Sequence, residues 1–339
     1  MKKLLSILLT GVMTVSLAAC GGAAEKNTAG TSETTTSETT TSEETATSET
    51  VTLTTRNGAG ETVDIEFPSD PRRLAVMDLG ALDILDNIGY GDRIVGVSKG
   101  SSIDYLQKYV TDDNLINLGT VKEADMEALI ESEPDIIFIG GRMSAMYDEL
   151  VKIAPVYMVY TDTEKGVVES TSMNAKNIAS LFHAEDKIDA LLEDYNRRID
   201  SLKTVAEGKT AIVGMVNAGG FGLLGNDGRC SIIGREIGFE NVGIDADVDT
   251  SAHGNEASFE FVLSKNPEYI FAMDRDAAIG TEGAQLAAEV LDNELVNNTD
   301  AAQNGRVIVL EHSNVWYTAE EGITALGIMI SDLENTMLK

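Results

Sequence analysis

Residues 126–138 read MEALIESEPDIIF and lead on to Arg142, and residues 259–271 read FEFVLSKNPEYIF and lead on to Arg275. In both stretches a glutamate lies seven residues before a proline, and the arginine lies eight residues after that proline. Each stretch predicts a short helix, a turn of proline and an acidic residue, and then a buried strand. Helices that lead into buried strands are typical of α/β folds, so the two copies predict two related lobes.

Short β-branched runs extend this pattern outward from both stretches. Strands are predicted at residues 73–77, 93–97, 135–139 and 156–160 in the first half, with a helix at residues 81–88, and at residues 210–216, 268–273 and 306–310 in the second half. Because the strands alternate with helical segments, they are expected to form parallel βαβ units, giving two Rossmann-like lobes with parallel-rich sheets.

The segment between the halves, residues 171–204, carries no strand signal. Its apolar residues recur every three and four positions, as in an amphipathic helix, with a predicted break near residues 183–186. A long helix in this position indicates a rigid connection. We therefore predict an N-terminal α/β lobe at residues 51–169, a connecting helix at 170–205 and a C-terminal α/β lobe at 206–339.

Both repeated stretches end in an arginine just past a predicted strand. In α/β sheets, ligands bind at the carboxyl ends of the strands, so two facing lobes would direct Arg142 and Arg275 into one cleft. The alternative is that both arginines are solvated loop residues, and their positions alone do not decide between the two.

The N-terminus resembles a bacterial lipoprotein signal. Two lysines precede an apolar run at residues 4–17 that is too short to span a membrane comfortably, and LAAC closes the run at Cys20. Residues 1–19 are therefore predicted to be a signal peptide and Cys20 a lipidation site, the alternative being an ordinary cleavage site beside an incidental cysteine. Residues 20–50 are rich in Thr, Ser and Glu and are predicted to be a disordered tether.

The composition excludes several functions. With 25 Lys+Arg and 56 Asp+Glu the chain has a net charge of -31, which repels nucleic acids. Its 2 cysteines cannot form a disulfide framework, and Cys230 is predicted to be a packing residue. No G-x-S-x-G, Walker or HExxH motif occurs, so we expect no enzyme; an exported α/β enzyme is the alternative that turnover by the isolated protein would reveal.

Five further motifs occur along the chain. They are PRRLAVMDLGALD at residues 71–83, GDRIVGV at 91–97, SAHGNEASFE at 251–260, NPEYIF at 266–271 and DRDAAIG at 274–280. Together they resemble the iron-siderophore substrate-binding lipoproteins of ABC importers, in the branch that binds ferric catecholates and petrobactin-like siderophores. The resemblance covers residues 51–339 and is most specific in the second half. It implies a class III substrate-binding protein, with two lobes joined by a long rigid helix and a shallow cleft between them.

The resemblance implies three arginines in that cleft, Arg142, Arg229 and Arg275. A ferric catecholate complex is an anion, and guanidinium groups are planar, permanently charged donors that suit its oxygens. The alternative ligands on the same scaffold are heme, a corrinoid or another anionic metal chelate. A free divalent metal is disfavoured because the 3 histidines are dispersed.

The resemblance also implies that His253 and Tyr317 bind the siderophore's iron directly. A tetradentate siderophore leaves part of the octahedral iron shell open, and a phenolate and a neutral imidazole are suitable donors to ferric iron. Trp316 is expected to contact the ligand from the cleft wall. His183 and His312 lack such a context and are expected to be non-functional.

The sequence departs from the family pattern after Tyr317. The family continues with small residues, whereas this chain has Glu320 and Glu321. These carboxylates either repel an anionic ligand or cap the helix that starts there, and capping is favoured because acidic residues suit a first helical turn. Cys230 stands where a larger side chain is expected, so the pocket is expected to differ in shape.

The family implies an ABC permease and its ATPase as partners. Such permeases dock onto acidic residues at the tips of the lobes, and Glu127 and Glu260 occupy matching positions in the repeat, although the resemblance does not single them out. We expect a monomer with no intrinsic cofactor, whose ligand is the ferric siderophore. Its lipid would hold it on the extracellular side of the cell membrane, in a Gram-positive bacterium.

Overall fold

Two β-sheets built largely from parallel strands form the framework of the protein. The computed structural model describes residues 49–101, 103–244, 255–256 and 258–338. The strands are β1 (Thr50–Arg56), β2 (Thr62–Pro68), β3 (Leu74–Val76), β4 (Ile94–Val97), β5 (Ile116–Asn117), β6 (Ile136–Gly140), β7 (Val156–Val159), β8 (Thr210–Asn217), β9 (Gly220–Leu223), β10 (Glu240–Asn241), β11 (Asn255–Glu256), β12 (Tyr269–Asp274) and β13 (Val307–Val309).

Helices connect most of these strands. They are α1 (Leu79–Asn87), α2 (Gln107–Val110), α3 (Met126–Glu131), α4 (Tyr147–Leu150), α5 (Val167–Ser180), α6 (Glu185–Ala206), α7 (Ile232–Arg235), α8 (Phe259–Lys265), α9 (Arg275–Ala278), α10 (Ala287–Leu291), α11 (Glu294–Asn297), α12 (Asp300–Gln303), α13 (Ser313–Thr318) and α14 (Ile323–Met337). Short 3₁₀ helices lie at Gly91–Arg93, Asp104–Leu106 and Gly141–Met146. Within the described ranges, no helix is both long and apolar enough to cross a bilayer.

The strand order confirms the predicted α/β class. The first sheet has the order β5-β4-β3-β6-β7 with every neighbouring pair parallel. The second has the order β11-β9-β8-β12-β13, in which β12 pairs parallel with β8 and β13, and β9 is antiparallel to β8. Every residue of β6 and β12 is buried, as expected for continuous apolar strands inside a parallel sheet.

A hairpin that the sequence patterns did not predict precedes the first sheet. Strands β1 and β2 pair antiparallel along their whole length. The buried Thr55 hydroxyl accepts from the Met158 backbone N–H at 2.9 Å and donates to the Met158 carbonyl at 3.0 Å, which attaches the hairpin to β7. Since β1 begins at Thr50, that residue belongs to the fold and the predicted tether ends before it. The predicted signal peptide, the predicted lipidation site Cys20 and the predicted tether up to residue 48 lie outside the described residues.

The connection between the sheets consists of two helices, α5 and α6. The helical conformation is interrupted between α5 and α6, where His183 has a φ of 53°, and this agrees with the break that the sequence predicted. Residues 47–339 form one compact unit, so the predicted division at residues 169 and 205 remains a prediction.

One apolar core holds both sheets and the connecting helices. Phe138 in β6, Phe271 in β12 and Leu326 in α14 are each 0% exposed and belong to the same cluster. Because protein interiors are close-packed, such a core resists relative movement of its parts. The carboxyl ends of β6 and β12 are therefore held in a fixed relation.

The start of α14 is capped from the other end of the chain. The carboxylate of Asp83 in α1 accepts from the backbone N–H groups of Thr324 at 3.2 Å and Ala325 at 2.9 Å. Burial raises the pKa of Asp83 to about 6, although these hydrogen bonds oppose the shift. The prediction that Glu320 and Glu321 cap this helix is wrong. Helix α14 begins only at Ile323, and the N–H groups of its first turn donate to Asp83 instead.

Candidate functional site

Arg142 and Arg275 occupy equivalent places in the two sheets. Arg142 lies in the 3₁₀ helix that directly follows β6, and Arg275 is the first residue of α9, directly after β12. The side chain of Asp274 accepts from the Ala277 N–H at 2.9 Å, which fixes the turn that presents Arg275. Both arginines therefore lie at the carboxyl edges of parallel strands.

The three predicted arginines converge on Tyr317, which lies in α13. Arg142 Nη2 and Arg229 Nε donate to the Tyr317 carbonyl oxygen at 3.1 and 3.3 Å. Arg275 Nε donates to the Tyr317 hydroxyl at 3.3 Å. The guanidinium carbons of Arg142, Arg229 and Arg275 lie 5.9, 4.5 and 5.8 Å from the centre of the phenol ring. The structure thus brings residues from both halves of the chain together around one side chain, and their role in ligand binding remains a prediction.

The arginines change the acidity of the phenol that they surround. Burial alone would raise the pKa of Tyr317. The hydrogen bond from Arg275 and the charges of Arg229, Arg275 and Arg142 outweigh that effect and lower the pKa. A phenol with a lower pKa loses its proton more readily, so the phenolate form that binds a hard metal ion is easier to reach.

A cavity opens beside Arg275. Its volume is about 530 Å³, and it is lined by Asn217, Ala218, Gly219, Arg275, Asp276, Thr281, Glu282, Gly283, Ala284 and Gln285. Asn217, at the end of β8, accepts from Arg275 Nη1 at 2.9 Å. The sequence patterns did not single out Asn217. Its position at the carboxyl end of a predicted strand is the same signal that pointed to Arg142 and Arg275, and could have identified it.

Trp316 is a core residue, which corrects its predicted role as a ligand contact. The side chain is 0% exposed, and its Nε1 donates to Asp332 Oδ2 in α14 at 2.9 Å. The same carboxylate accepts from the backbone N–H of His312 at 3.1 Å and pairs with His312 Nδ1 at 2.6 Å. Asp332 thereby fixes His312 and Trp316, at the start of α13 and directly before Tyr317.

Replacing Asp332 by alanine is expected to lower the free energy of unfolding by about 2 kcal/mol, because it leaves the buried indole N–H of Trp316 without an acceptor. Denaturant unfolding followed by circular dichroism measures this change. The control is Asp189→Ala, since the Asp189 side chain is 62% exposed and pairs with an exposed lysine. Equal costs for the two variants would show that Asp332 does not fix α13.

The other histidines are consistent with structural positions. Glu311, His312 and Asp332 bring potential ligand atoms within 4.8 Å of one another, but Asp332 already accepts from Trp316 and His312. The Nε2 atom of His183 lies 3.5 Å from the Ser69 hydroxyl, at the break between α5 and α6. His253 lies outside the described residues.

Glu320 is a buried acid beside the turn that follows Arg229. It is 8% exposed, and its Oε1 accepts from the Cys230 backbone N–H at 2.9 Å. Cys230 is also buried and has a φ of 59°, so this bond fixes the strained turn directly after Arg229. Burial raises the pKa of Glu320 to about 8, the charge of Glu321 adds to the shift, and Arg229 opposes it.

Asp78 is a second buried acid that the sequence patterns did not assign to the site. It lies between β3 and α1, is 8% exposed and caps α1 through a 3.0 Å bond from the Ala81 N–H. Its carboxylate packs against Gly140, the last residue of β6 before the loop of Arg142. Burial and the charge of Glu321 raise its pKa to about 7, while Arg142 opposes the shift.

Glu127 and Glu260 also occupy matching positions in the structure. Each is exposed in the first turn of a helix, α3 or α8, behind a capping Asp125 or Ser258. Their predicted role in docking remains a prediction.

Comparison with known proteins identifies the group to which this architecture belongs. The sequence profile of the family described as "Periplasmic binding protein" matches residues 74–313, which include both sheets and the converging arginines. The chain belongs to the periplasmic binding protein family. Periplasmic binding proteins are solute-binding proteins rather than enzymes, which confirms the prediction of a non-catalytic function.

Individual periplasmic binding proteins are similar over most of the chain. The petrobactin-binding protein YclQ of Bacillus subtilis is 34% identical over 274 residues, covering 80% of this chain and 84% of YclQ. Its crystal structure matches with a TM-score of 0.77, covering 85% of this chain and 99% of that one. The catecholate-siderophore binding protein VctP of Vibrio cholerae matches with a TM-score of 0.76 at 31% identity, covering 85% of this chain and 100% of VctP. BauB, solved with a complex of two acinetobactin molecules and ferric iron, matches with a TM-score of 0.73 at 26% identity, covering 85% of this chain and 99% of BauB.

Proposed function

We propose that the protein captures a ferric siderophore of the catecholate type outside the cytoplasmic membrane and delivers it to an ABC permease. The observation that carries this proposal is the convergence of Arg142, Arg229 and Arg275 on Tyr317. Their positive charges give a local attraction for an anionic chelate in a protein that is acidic as a whole. The names of YclQ, VctP and BauB, which refer to siderophores, support the same ligand class.

In this proposal the arginines and Tyr317 have different tasks. The guanidinium groups donate charge-assisted hydrogen bonds to the chelate's oxygens and fix its orientation. Tyr317 donates its phenol oxygen to iron, with His253 as the second donor, when the siderophore leaves part of the iron shell open. The cavity beside Arg275 provides space for part of the chelate.

A direct titration tests the function. The purified chain is titrated with the ferric complexes of a tetradentate and a hexadentate catecholate, following the fluorescence of Trp316 and the iron charge-transfer band. Trp316 is the only tryptophan and is adjacent to Tyr317, so it should report occupancy of the site. We expect saturable quenching with both complexes and a band shift with the tetradentate one. Failure of both to bind would reject the proposal and direct the same titration to heme and corrinoids.

The proposal also includes the membrane and the importer. Cys20 would carry the lipid that anchors the chain on the extracellular side of a Gram-positive membrane, and Glu127 and Glu260 would face the permease. Membrane fractionation of cells expressing the chain tests the anchor, because loss of the lipid should release the protein into the medium.

A further inference from the structure

Each arginine of the site is matched by a buried or partly buried acid. Arg275 Nη1 lies 3.3 Å from Asp276 Oδ1, and Asp276 is 3% exposed. Glu320 accepts from the backbone N–H of Cys230, the residue after Arg229, and Asp78 packs against Gly140, two residues before Arg142. Glu321 is a further carboxylate between them and acts on both Glu320 and Asp78. We name Asp78, Asp276, Glu320 and Glu321 the acidic layer.

The packing around Gly80 and Gly140 keeps this layer close to the arginines. A Cβ atom at Gly80 would lie 3.1 Å from both Asp78 Oδ1 and Glu321 Cβ, so these two acidic residues flank one glycine. A Cβ at Gly140 would collide with Asp78 Oδ2. The carboxylate of Asp78 is therefore pressed against the strand end that presents Arg142.

On the basis of the proposed function, we propose that the acidic layer limits the negative charge of the chelates that the site accepts, and that Glu320 sets this limit through Arg229. Arg142, Arg229 and Arg275 attract an anion, while the layer repels it from behind the arginines. The repulsion grows in proportion to the ligand's charge. The attraction grows in the same proportion, so the layer offsets about three times as much binding free energy for a trianionic ferric complex as for a monoanionic one.

Protonation of the layer modulates the limit. Four groups surround Glu320. Arg229 and Cys230 belong to the loop before α7, Glu236 follows the end of α7, and Glu321 is the next residue in the sequence. Asp78 faces Glu321 and Arg142. Because burial raises the pKa of Glu320 to about 8 and that of Asp78 to about 7, both gain negative charge as the pH rises through neutrality. Affinity for an anion should therefore fall as the pH rises, most steeply for the most highly charged anion.

The test compares Glu320→Gln with the wild type for two ferric complexes of the same donor atoms, a monoanionic bis-catecholate and a trianionic tris-catecholate. Glutamine retains the acceptor for the Cys230 N–H, so the turn is preserved. At pH 8 the variant is expected to bind the trianionic complex about tenfold more tightly and the monoanionic one about twofold, since one removed charge acts three times as strongly on a trianion. Glu131→Gln, at an exposed position in α3, is the control and should change neither affinity.

A pH series supplies a second readout. Between roughly pH 6.5 and 8.5, the affinity of the wild type for the trianionic complex should fall more than that of Glu320→Gln. Because titration of the chelate itself affects both proteins equally, it does not contribute to the difference between them. Equal gains for both complexes, or identical pH profiles, would overturn the inference while the proposed function stands. Failure of the wild type to bind either complex would overturn both. If Glu320→Gln does not fold, Glu321→Gln is expected to show the same charge selectivity, and its absence there would reject the inference.

Discussion

Replacing Arg142 with methionine is expected to weaken binding of a ferric catecholate complex by roughly 10- to 100-fold, because a hydrogen bond to a charged group contributes about 1.5–3 kcal/mol. Arg142 is exposed and reaches Tyr317 from the first sheet, whereas Arg229 and Arg275 approach from the second half of the chain. Its loss should therefore remove attraction for the ligand without disturbing the core. Fluorescence titration gives the affinity, and thermal unfolding should remain unchanged.

The matched control for Arg142 is Arg197→Met. Arg197 is a highly exposed arginine in α6 that pairs with Asp194, so its replacement changes the net charge equally. If the two variants lost affinity to the same extent, the effect would come from the overall charge of the protein. Arg142 would then have no specific part in binding.

Replacing Tyr317 with phenylalanine is expected to weaken binding of a tetradentate ferric complex by about 100-fold and of a hexadentate one by less than about threefold. The variant keeps the ring and removes only the hydroxyl that accepts from Arg275. A hexadentate ligand already fills the iron shell and needs no protein donor. The iron charge-transfer band of the tetradentate complex should return to its position in free solution.

Tyr160→Phe provides the control for removal of a phenol hydroxyl. The Tyr160 hydroxyl contacts the sulfur of Met173 at 3.8 Å, and we expect no change in either affinity. Equal losses for the tetradentate and hexadentate complexes in Tyr317→Phe would mean that the hydroxyl contacts the ligand without binding iron. The same result would remove the reason to expect His253 as a second donor.

The sequence was sufficient where short-range patterns determine structure. Strands β6 and β12 follow from uninterrupted apolar runs. The rule that ligands gather at the carboxyl ends of parallel strands allowed Arg142 and Arg275 to share a cleft but left solvated loop positions open, and only the resemblance to a family favoured the cleft. The hairpin was missed, although residues 51–68 were assigned to the N-terminal lobe, because its two strands carry polar residues between their apolar ones and contain no continuous apolar run. Its attachment through Thr55 depends on Met158, which is distant in sequence.

Contacts between distant residues also explain the two predictions that were wrong. Trp316 points into the core because Asp332, on the following helix, accepts its indole N–H. Glu320 and Glu321 do not cap α14 because Asp83, from the first helix, already accepts from Thr324 and Ala325. In each case a carboxylate elsewhere in the chain determines the outcome, and local propensity does not contain that information.

The bond between Asp83 and α14 has a consequence for biosynthesis. Asp83 is 1% exposed, and the backbone donors that satisfy it belong to the last helix in the sequence. While a ribosome or an export channel still holds α14, Asp83 lacks these two backbone donors and keeps only the Tyr105 hydroxyl, which donates to its Oδ2 at 3.2 Å. We therefore expect the N-terminal half to complete folding only after residues 323–337 emerge, which would keep it in the extended form that threading through a secretion channel requires.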